Sequence, residues 1–322
     1  MSTSDLSGEL QTEPISTEPR PSKRGEKPPW LKVKLPGSER YHDIKRRARE
    51  LKLSTVCEEA RCPNIGECWG GGTATFMVMG DTCTRGCRFC AVKTAKRPAP
   101  LDLDEPRNVA AAIAEMGLDY VVITSVDRDD LVDQGANHFA AVIRECRLAS
   151  PRTKVEVLIP DFRRDYSLLQ RIVDAKPEVI AQNVETVERL THPVRDAKAS
   201  YRQSLDVLAQ IKRFDPTMLT KSSLMVGLGE TPEEMEQAMR DIRAAGVDFL
   251  TLGQYLQPTP KHLPVVEFVH PDQFAAYERL GLDMGFTYVA SGPLVRSSYK
   301  AGEFFISRYI EKRASSAVGL AK

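Results

Sequence analysis

Six of the seven cysteines in this 322-residue chain lie in two groups of three. The first trio is Cys57, Cys62 and Cys68, with the spacing C-x4-C-x5-C; the second trio is Cys83, Cys87 and Cys90, with the spacing C-x3-C-x2-C. A four-iron cluster offers four irons, which four thiolates usually take, so a trio leaves one iron for another ligand or a substrate. The spacing therefore predicts two iron–sulfur clusters, each with one position that no cysteine fills.

Two other uses of these cysteines fit the spacing less well. Sets of three thiols pair badly into disulfides, and the lack of a signal peptide favours a reducing compartment. Structural zinc sites typically repeat C-x2-4-C in pairs, which neither trio does. The seventh cysteine, Cys146, falls inside the apolar pattern of a predicted helix, so we expect it to be a buried small hydrophobe.

Composition indicates a globular protein without a strongly charged partner surface. The chain has 42% hydrophobic residues and a net charge of +1, which argues against nucleic acid as a partner. No apolar stretch approaches the length of a membrane-spanning helix. The first 19 residues contain Asp5, Glu9, Glu13 and Glu18 but no lysine or arginine, unlike a transit peptide. We therefore expect a cytoplasmic protein, with a monomer as the default.

From residue 76 onward, apolar runs alternate with amphipathic helical patterns. The apolar runs cover residues 76–79, 120–126, 154–159, 178–184, 219–228 and 249–256. The helical patterns cover residues 106–116, 138–148, 166–175, 201–214, 232–244 and 271–284. Apolar strands that alternate with helices indicate a parallel sheet covered by helices. The pattern predicts an α/β fold with a partial (β/α)6 barrel of the TIM type, although two doubly wound halves fit the periodicity as well.

This reading divides the chain into four regions. Residues 1–29 are a disordered or draped tail, 30–75 an extension that carries the first trio, 76–285 the barrel, and 286–322 a C-terminal segment. The second trio directly follows the first predicted strand, and chemistry in βα barrels gathers on loops at the carboxyl ends of strands. The second trio is thus expected at the barrel mouth, and the first trio must fold back over one end.

The motifs resemble those of a known family. The second trio, with Phe89 before its last cysteine, resembles the signature of the radical S-adenosylmethionine superfamily. Together with the first trio and the sequence Arg296-Ser297-Ser298-Tyr299, it resembles the lipoyl synthase family of that superfamily. The resemblance extends from about Trp30 to Gly302.

This resemblance implies a sulfurtransferase of lipoate biosynthesis. It would insert two sulfur atoms at the sixth and eighth carbons of an octanoyl chain on a lysine of a lipoyl carrier protein. Cys83, Cys87 and Cys90 would hold the [4Fe-4S] cluster that binds and reductively cleaves S-adenosylmethionine, giving the radical that abstracts hydrogen. Cys57, Cys62 and Cys68 would hold an auxiliary [4Fe-4S] cluster that donates its sulfide. Its fourth ligand would be Ser298, with Ser297 as the near alternative.

The resemblance and the predicted strand ends also suggest contacts for S-adenosylmethionine. The candidates are Phe89, Thr124, Ser125, Asn183, Glu185, Arg195, Leu228, Gln254 and Leu256. Because one auxiliary cluster would be consumed in each turnover, a protein that delivers iron–sulfur clusters is implied. A one-electron donor of the flavodoxin or ferredoxin type is implied as well.

Two rival functions remain open at this stage. A biotin-synthase relative would also insert sulfur by radical chemistry, but the first trio and the serine motif fit it poorly. A non-catalytic iron–sulfur carrier would need neither open iron, since electron carriers gain little from a vacant position.

Overall fold

The computed structural model describes residues 27–33, 37–50, 53–59, 62–71, 73–298 and 309–310. The predicted tail up to residue 26, Tyr299 of the serine motif and most of the C-terminal segment lie outside the described residues. The helices are α1 Glu39–Glu50, α2 Val56–Glu59, α3 Ile65–Gly70, α4 Glu105–Met116, α5 Ala136–Ala149, α6 Tyr166–Asp174, α7 Thr191–Val194, α8 Tyr201–Phe214, α9 Pro232–Ala244 and α10 Pro271–Asp283. The strands are β1 Ser54–Thr55, β2 Thr73–Val78, β3 Thr82–Cys83, β4 Lys93–Thr94, β5 Tyr120–Ser125, β6 Lys154–Leu158, β7 Val179–Ala181, β8 Leu219–Val226, β9 Phe249–Gln254 and β10 Tyr288–Gly292.

A mostly parallel sheet with the order β1-β2-β5-β6-β7-β8-β9-β10 forms the centre of the fold. The strands from β2 to β10 run parallel, and only β1 is antiparallel to its neighbour β2. Buried residues of these strands pack with the helices in two apolar clusters, one that includes α4, α5 and α6 and one that includes α9 and α10, while α8 contributes to both. Because β10 pairs with β9 and not with β1, the described strands form an open barrel, as the alternating pattern predicted.

The sequence predicted the six barrel helices to within two residues of their observed bounds. Helix α9 begins with a capping box at Thr231, whose hydroxyl accepts from the Glu234 amide while the Glu234 carboxylate accepts from the Thr231 amide. Gly117 ends α4 in the left-handed region with a φ of 57°, as expected of a helix C-terminal glycine. Cys146 is fully buried in α5, which confirms its expected structural role.

Strand β10 was not among the predicted strands. It pairs in parallel register with β9 from Tyr288↔Phe249 to Gly292↔Gly253, which makes it a seventh parallel strand in a region expected only to be a C-terminal segment. The prediction missed this strand because Tyr288, Ala290 and Ser291 give it neither a continuous apolar run nor a strict alternation. Its place is set by pairing with β9, which only the tertiary structure reveals.

The N-terminal extension packs onto the open edge of the sheet. Strand β1 pairs with β2 through Ser54↔Met77, and α1 packs on α3 with the rings of Tyr41 and Trp69 5.3 Å apart. Trp69 is fully buried and belongs to the same apolar cluster as the helices around β2 and β5. None of the helices in the described part of the chain is long and apolar enough to cross a membrane.

Candidate active site

The second trio lies on the loop that leaves the carboxyl end of β2. Met79 and Gly80 turn the chain there with φ angles of 68° and 90°, and Cys83 follows as the last residue of β3. The ribbon of β3 and β4 closes the loop, because the Ala95 amide donates to the Cys83 carbonyl at 3.0 Å. The cysteines therefore stand at the mouth of the barrel, beside the loops that follow the other parallel strands.

Backbone amides from three loops point at the thiols of the second trio. The Cys83 sulfur accepts from the amides of Arg85 at 3.4 Å and Asp127 at 3.3 Å, and the Cys87 sulfur accepts from the Asp196 amide at 3.3 Å. Hydrogen bonds to sulfur are one of the means by which proteins tune iron–sulfur clusters. The donors around these cysteines therefore fit thiolates that bind iron.

A buried guanidinium fixes the position of this loop. Arg85 is 4% exposed and binds both carboxylate oxygens of Asp161, at 2.7 and 2.8 Å, and both of Asp129, each at 3.0 Å. Asp129 also accepts from Arg163 at 2.9 Å and Lys198 at 3.1 Å. Burial opposes ionisation of Asp129, but the hydrogen bonds and charge of Arg85 outweigh it and lower the pKa of Asp129 well below its usual range.

Burial keeps the thiols of the second trio protonated when no metal is bound. It raises the pKa of Cys83 and Cys90 to about 11 and that of Cys87 to about 12. Metal binding requires the thiolate, so iron must displace these protons and supply the charge that the buried site lacks. Nearby, burial raises the pKa of Asp127 to about 6 against the opposing charge of Arg85.

The first trio lies on the short helices of the N-terminal extension. Cys57 is buried in α2, Cys68 lies in α3, and the Cys62 amide donates to the Cys57 carbonyl at 3.0 Å. Burial and the neighbouring Cys62 raise the pKa of Cys57 to about 11, whereas hydrogen bonds from Thr75 and Trp69 lower it. The Trp69 indole nitrogen is buried without a regular hydrogen-bond acceptor, so its N–H is available to a thiolate or a cluster sulfide.

A segment from the far end of the chain joins the first trio. The Asn64 side chain, 3% exposed between Cys62 and Cys68, donates to the Leu294 carbonyl at 2.5 Å. Arg296 approaches Cys62 closely enough that its charge lowers the pKa of that thiol, against a larger increase caused by burial. Ser297 and Ser298 follow directly and are half-buried. The segment that carries the predicted serine ligand therefore lies beside the first trio.

Glycine at position 253 allows this segment to reach its place. A Cβ atom at Gly253 in β9 would overlap the Val295 carbonyl oxygen and would lie 3.4 Å from an Arg296 side-chain nitrogen. The Arg296 guanidinium donates to the Gln254 carbonyl at 3.3 Å and to the Val295 carbonyl at 2.6 Å. The end of β9 therefore packs directly against the segment that contains Val295 and Arg296.

The residues predicted to contact S-adenosylmethionine lie at or beside the strand ends, and several have polar atoms without partners. Ser125 Oγ, Asn183 Oδ1 and Arg195 Nε are buried and have no hydrogen-bond partner, and Thr251 Oγ1 of β9 shares this condition. Buried polar atoms are normally hydrogen-bonded, so these unpaired polar atoms on several strands of the barrel fit a polar ligand. Sequence analysis missed Thr251, although the two-residue period of a strand places it on the same face of β9 as Phe249 and Gly253.

Other predicted contacts are already engaged within the protein. Asn183 donates to Glu185 at 3.0 Å, and burial raises the pKa of Glu185 against the charge of Arg195. Glu185 also holds a φ of 73°, which is uncommon for a residue with a side chain. The Thr124 hydroxyl donates to the Leu158 carbonyl at 3.1 Å.

The side-chain amide of Gln254 has all of its hydrogen-bonding groups engaged within the protein. Its amide nitrogen donates to the carbonyls of Val226, Tyr255 and Glu267, and its oxygen accepts from the Val269 amide at 2.8 Å. Its side-chain amide is therefore fully bonded, and its backbone carbonyl already accepts from Arg296 at 3.3 Å. The remaining candidates are apolar: Phe89 packs against the helices around β8 and β9, Leu228 is buried, and Leu256 is half-buried just after β9.

A site for a single metal ion differs from these trios. In the part of the chain that the structure describes, no three histidine, cysteine or acidic side chains converge as ligands of one ion. The cysteines of an iron–sulfur cluster each take a different iron, so a trio that serves a cluster has no need to converge on one point. The amide donors, the protonated buried thiols and the orphaned indole nitrogen together fit iron–sulfur ligation.

The fold and the second trio define a radical S-adenosylmethionine enzyme. A sequence model of the radical SAM superfamily matches residues 77–242. Solved structures with the same fold include methylornithine synthase, with a TM-score of 0.51 and 12% identity over 85% of this chain and 92% of that chain. The FeFe-hydrogenase maturase HydG from Carboxydothermus hydrogenoformans has a TM-score of 0.52 and 14% identity, over 77% of this chain and 57% of that chain. Membership in this superfamily implies a [4Fe-4S] cluster and S-adenosylmethionine as cofactors.

Within that superfamily, the chain belongs to the lipoyl synthase family. A model of the N-terminal domain of lipoyl synthase matches residues 7–62. The mitochondrial lipoyl synthase of Aedes aegypti is 60% identical over 295 residues, which cover 90% of this chain and 75% of the relative. That of Drosophila melanogaster is 60% identical over 291 residues, which cover 89% of this chain and 77% of the relative. The expected sulfur-inserting activity is thereby confirmed.

The expectation of a cytoplasmic location was wrong. Both of these relatives are named as mitochondrial lipoyl synthases, which points to the mitochondrion and not the cytoplasm. The expectation depended on the acidic residues among the first 19, and the composition of that short stretch does not decide the compartment.

Proposed function

We propose that this chain inserts sulfur at the sixth and eighth carbons of an octanoyl chain carried on a lysine of a lipoyl carrier protein, and that its first trio holds the auxiliary cluster which provides that sulfur. The observation that supports the division of labour best is the hydrogen bond between Asn64 and the Leu294 carbonyl. It joins the loop of the first trio to the segment that carries Ser298, which supports a cluster whose ligands come from two distant parts of the chain. If Ser298 were only a turn residue, its segment would not need a hydrogen bond to the loop of the first trio.

The second trio lies among buried ion pairs and amide donors, and it has a different role in this proposal. When bound, its cluster supplies the electron that cleaves S-adenosylmethionine and so provides a radical able to take hydrogen from an unactivated carbon. The chain's own contribution is placement: Arg85 anchors the loop to Asp161 and Asp129, and the amides of Asp127 and Asp196 face the sulfurs of Cys83 and Cys87. No side-chain acid or base is required at the substrate carbon.

The residues around the barrel mouth would bind S-adenosylmethionine. Arg195 Nε and Asn183 Oδ1 are buried without partners, so a carboxylate and a hydroxyl of the ligand would satisfy them. The free hydroxyls of Ser125 and Thr251 would serve other polar atoms of the ligand, whereas Gln254, whose amide group is bonded within the protein, would only shape the site. Phe89, Leu228 and Leu256 would supply apolar contacts.

The auxiliary cluster would be held by Cys57, Cys62, Cys68 and Ser298, with Ser297 as the alternative oxygen ligand. A hard oxygen ligand binds iron less firmly than a thiolate, which eases partial loss of a cluster that must give up sulfur. Such a cluster is consumed in each turnover, so a protein that delivers iron–sulfur clusters and a one-electron donor of the flavodoxin or ferredoxin type are needed.

Anaerobic reconstitution tests this proposal. The purified chain should bind about eight irons, the number in two four-iron clusters. With dithionite, S-adenosylmethionine and an octanoylated carrier domain, it should form 5′-deoxyadenosine, and the carrier should gain the mass of two sulfurs less two hydrogens. Cys146→Ala is the matched control, because this buried cysteine of α5 lies outside both trios and should leave the iron content unchanged. A four-iron protein that leaves the carrier unmodified would reject the assignment and favour an iron–sulfur carrier.

A further inference from the structure

The guanidinium of Arg296 has an unusual set of partners. It is half-buried and donates to the Gln254 and Val295 carbonyls, but no carboxylate lies within ion-pair distance of it among the described residues. The well-buried Arg85 and Arg128 are both paired with aspartates. Charges that leave water are normally paired, and the described part of the chain supplies no counter-anion for Arg296.

The position of Arg296 indicates where that anion belongs. Asn64 ties the segment that carries Arg296 to the loop between Cys62 and Cys68. The close approach of the Val295 carbonyl to Gly253 fixes the same segment from the other side. The guanidinium is thus held by two backbone carbonyls beside the first trio, immediately before the two serines. An iron–sulfur cluster on three thiolates and an oxygen ligand is anionic, and it would be the missing counter-charge.

We propose that Arg296 is the counter-cation of the auxiliary cluster and that it holds this cluster in place through its charge. The inference rests on the proposed function of the first trio. Sequence and geometry separate this role from the oxygen ligation of the neighbouring serine: the serine would bind one iron, whereas the guanidinium would stabilise the net charge of the whole cluster. Removal of the cation should make the cluster harder to reduce and easier to lose.

The first test uses a full-length background in which Cys83, Cys87 and Cys90 are all replaced by alanine, so that only the auxiliary cluster can form. In this background we compare Arg296→Gln and Arg296→Lys with Arg202→Gln, a control on the exposed face of α8 where the arginine pairs with Glu188. The measurements are the rate of iron release to a chelator and the midpoint potential. Arg296→Gln should release iron about tenfold to a hundredfold faster, the range found for groups that support metal ligands, and its potential should become more negative. Arg296→Lys should restore most of the potential because it restores the charge.

The second test needs no variant. In the wild-type chain, an arginine-selective reagent such as phenylglyoxal should modify Arg296 in the metal-free protein, and cluster loading should protect it, as peptide mass mapping would show. Arg202 should react in both states. Equal modification of Arg296 with and without the cluster, or release rates and potentials in Arg296→Gln that equal those of the control, would overturn the inference. If the triple-alanine background binds no cluster at all, the proposed function of the first trio fails instead.

Discussion

The two trios are held by different kinds of contact. The loop of the second trio is anchored by Arg85, whose guanidinium is buried between Asp161 and Asp129, and by a ribbon of two strands. The first trio lies on helices of four and six residues, and it depends on aromatic packing around Trp69 and on one hydrogen bond from Asn64 to Leu294. Buried ion pairs hold the loop of the second trio, whereas apolar packing and the contact with the Leu294 carbonyl hold the first trio.

This difference matches what each site has to do in the proposed reaction. A cluster that cleaves S-adenosylmethionine in every cycle must keep its geometry, and a network of buried ion pairs is costly to rearrange. A cluster that gives up its sulfide must be opened and rebuilt. A ligand on a terminal segment, held by few contacts, can leave and return at smaller cost than a ligand inside the barrel.

The largest expected effects come from removal of single cysteines. Cys87→Ala should abolish both cleavage of S-adenosylmethionine and sulfur insertion, since it removes a ligand of the second trio. Cys68→Ala should retain cleavage but insert no sulfur. The formation of 5′-deoxyadenosine and the mass of the octanoylated carrier measure the two steps separately. Full sulfur insertion by Cys68→Ala would show that the two regions do not divide the work in this way.

Substitution of Arg85 should have the next largest effect, a decrease in the free energy of unfolding. Arg85→Gln leaves the carboxylates of Asp161 and Asp129 buried without their main partner, and breaking a buried ion pair in this way costs about 3–5 kcal/mol. Denaturant unfolding of the metal-free chain measures this loss. The exposed Arg202→Gln serves as control and should change the free energy of unfolding by no more than about 0.5 kcal/mol. Equal effects of the two substitutions would show that the ion pairs of Arg85 do not stabilise the loop of the second trio.

Local patterns in the sequence were sufficient for the helices and for the cysteines. Helix α9 could be predicted from Thr231-Pro232-Glu233-Glu234 because a capping box and its helix depend on residues a few positions apart. The two trios were recognisable because ligand spacing is itself local. The position of the second trio at the barrel mouth followed from its place directly after a strand.

Contacts between distant residues could not be predicted in this way. Arg85 and Asp161 are 76 positions apart, and Asn64 and Leu294 are 230 positions apart, so no periodicity reports either pair. The same limit explains why β10 was missed and why Gln254, predicted as a contact for S-adenosylmethionine, has its amide group fully bonded to the backbone. These features are set by tertiary packing, which a single sequence does not display.

The contact between Asn64 and Leu294 offers a smaller and more selective test. Asn64→Ala leaves the half-buried Leu294 carbonyl without its donor, which costs about 1 kcal/mol, the typical net contribution of one hydrogen bond. We expect iron to leave in two phases, with the half bound by the first trio released faster, while 5′-deoxyadenosine formation persists. Asn137→Ala is the control, because Asn137 is exposed on α5 and its side chain bonds only to Arg171 among the described residues. Faster release of all the iron would show that this contact supports the whole fold and not the first trio alone.

The smallest expected effect concerns the indole nitrogen of Trp69. Trp69→Phe keeps an aromatic ring against Tyr41 but removes the buried N–H that faces Cys57. Since donors to sulfur stabilise the reduced form of a cluster, the potential of the auxiliary cluster should become more negative, and that of the second trio should stay unchanged. Trp30→Phe is the matched control: its indole nitrogen is also buried without a partner, but its ring packs on His270, away from both trios. A redox titration followed by electron paramagnetic resonance gives the potential of each cluster separately. An equal shift of both potentials would mean that Trp69 acts on the fold as a whole and not on one thiolate.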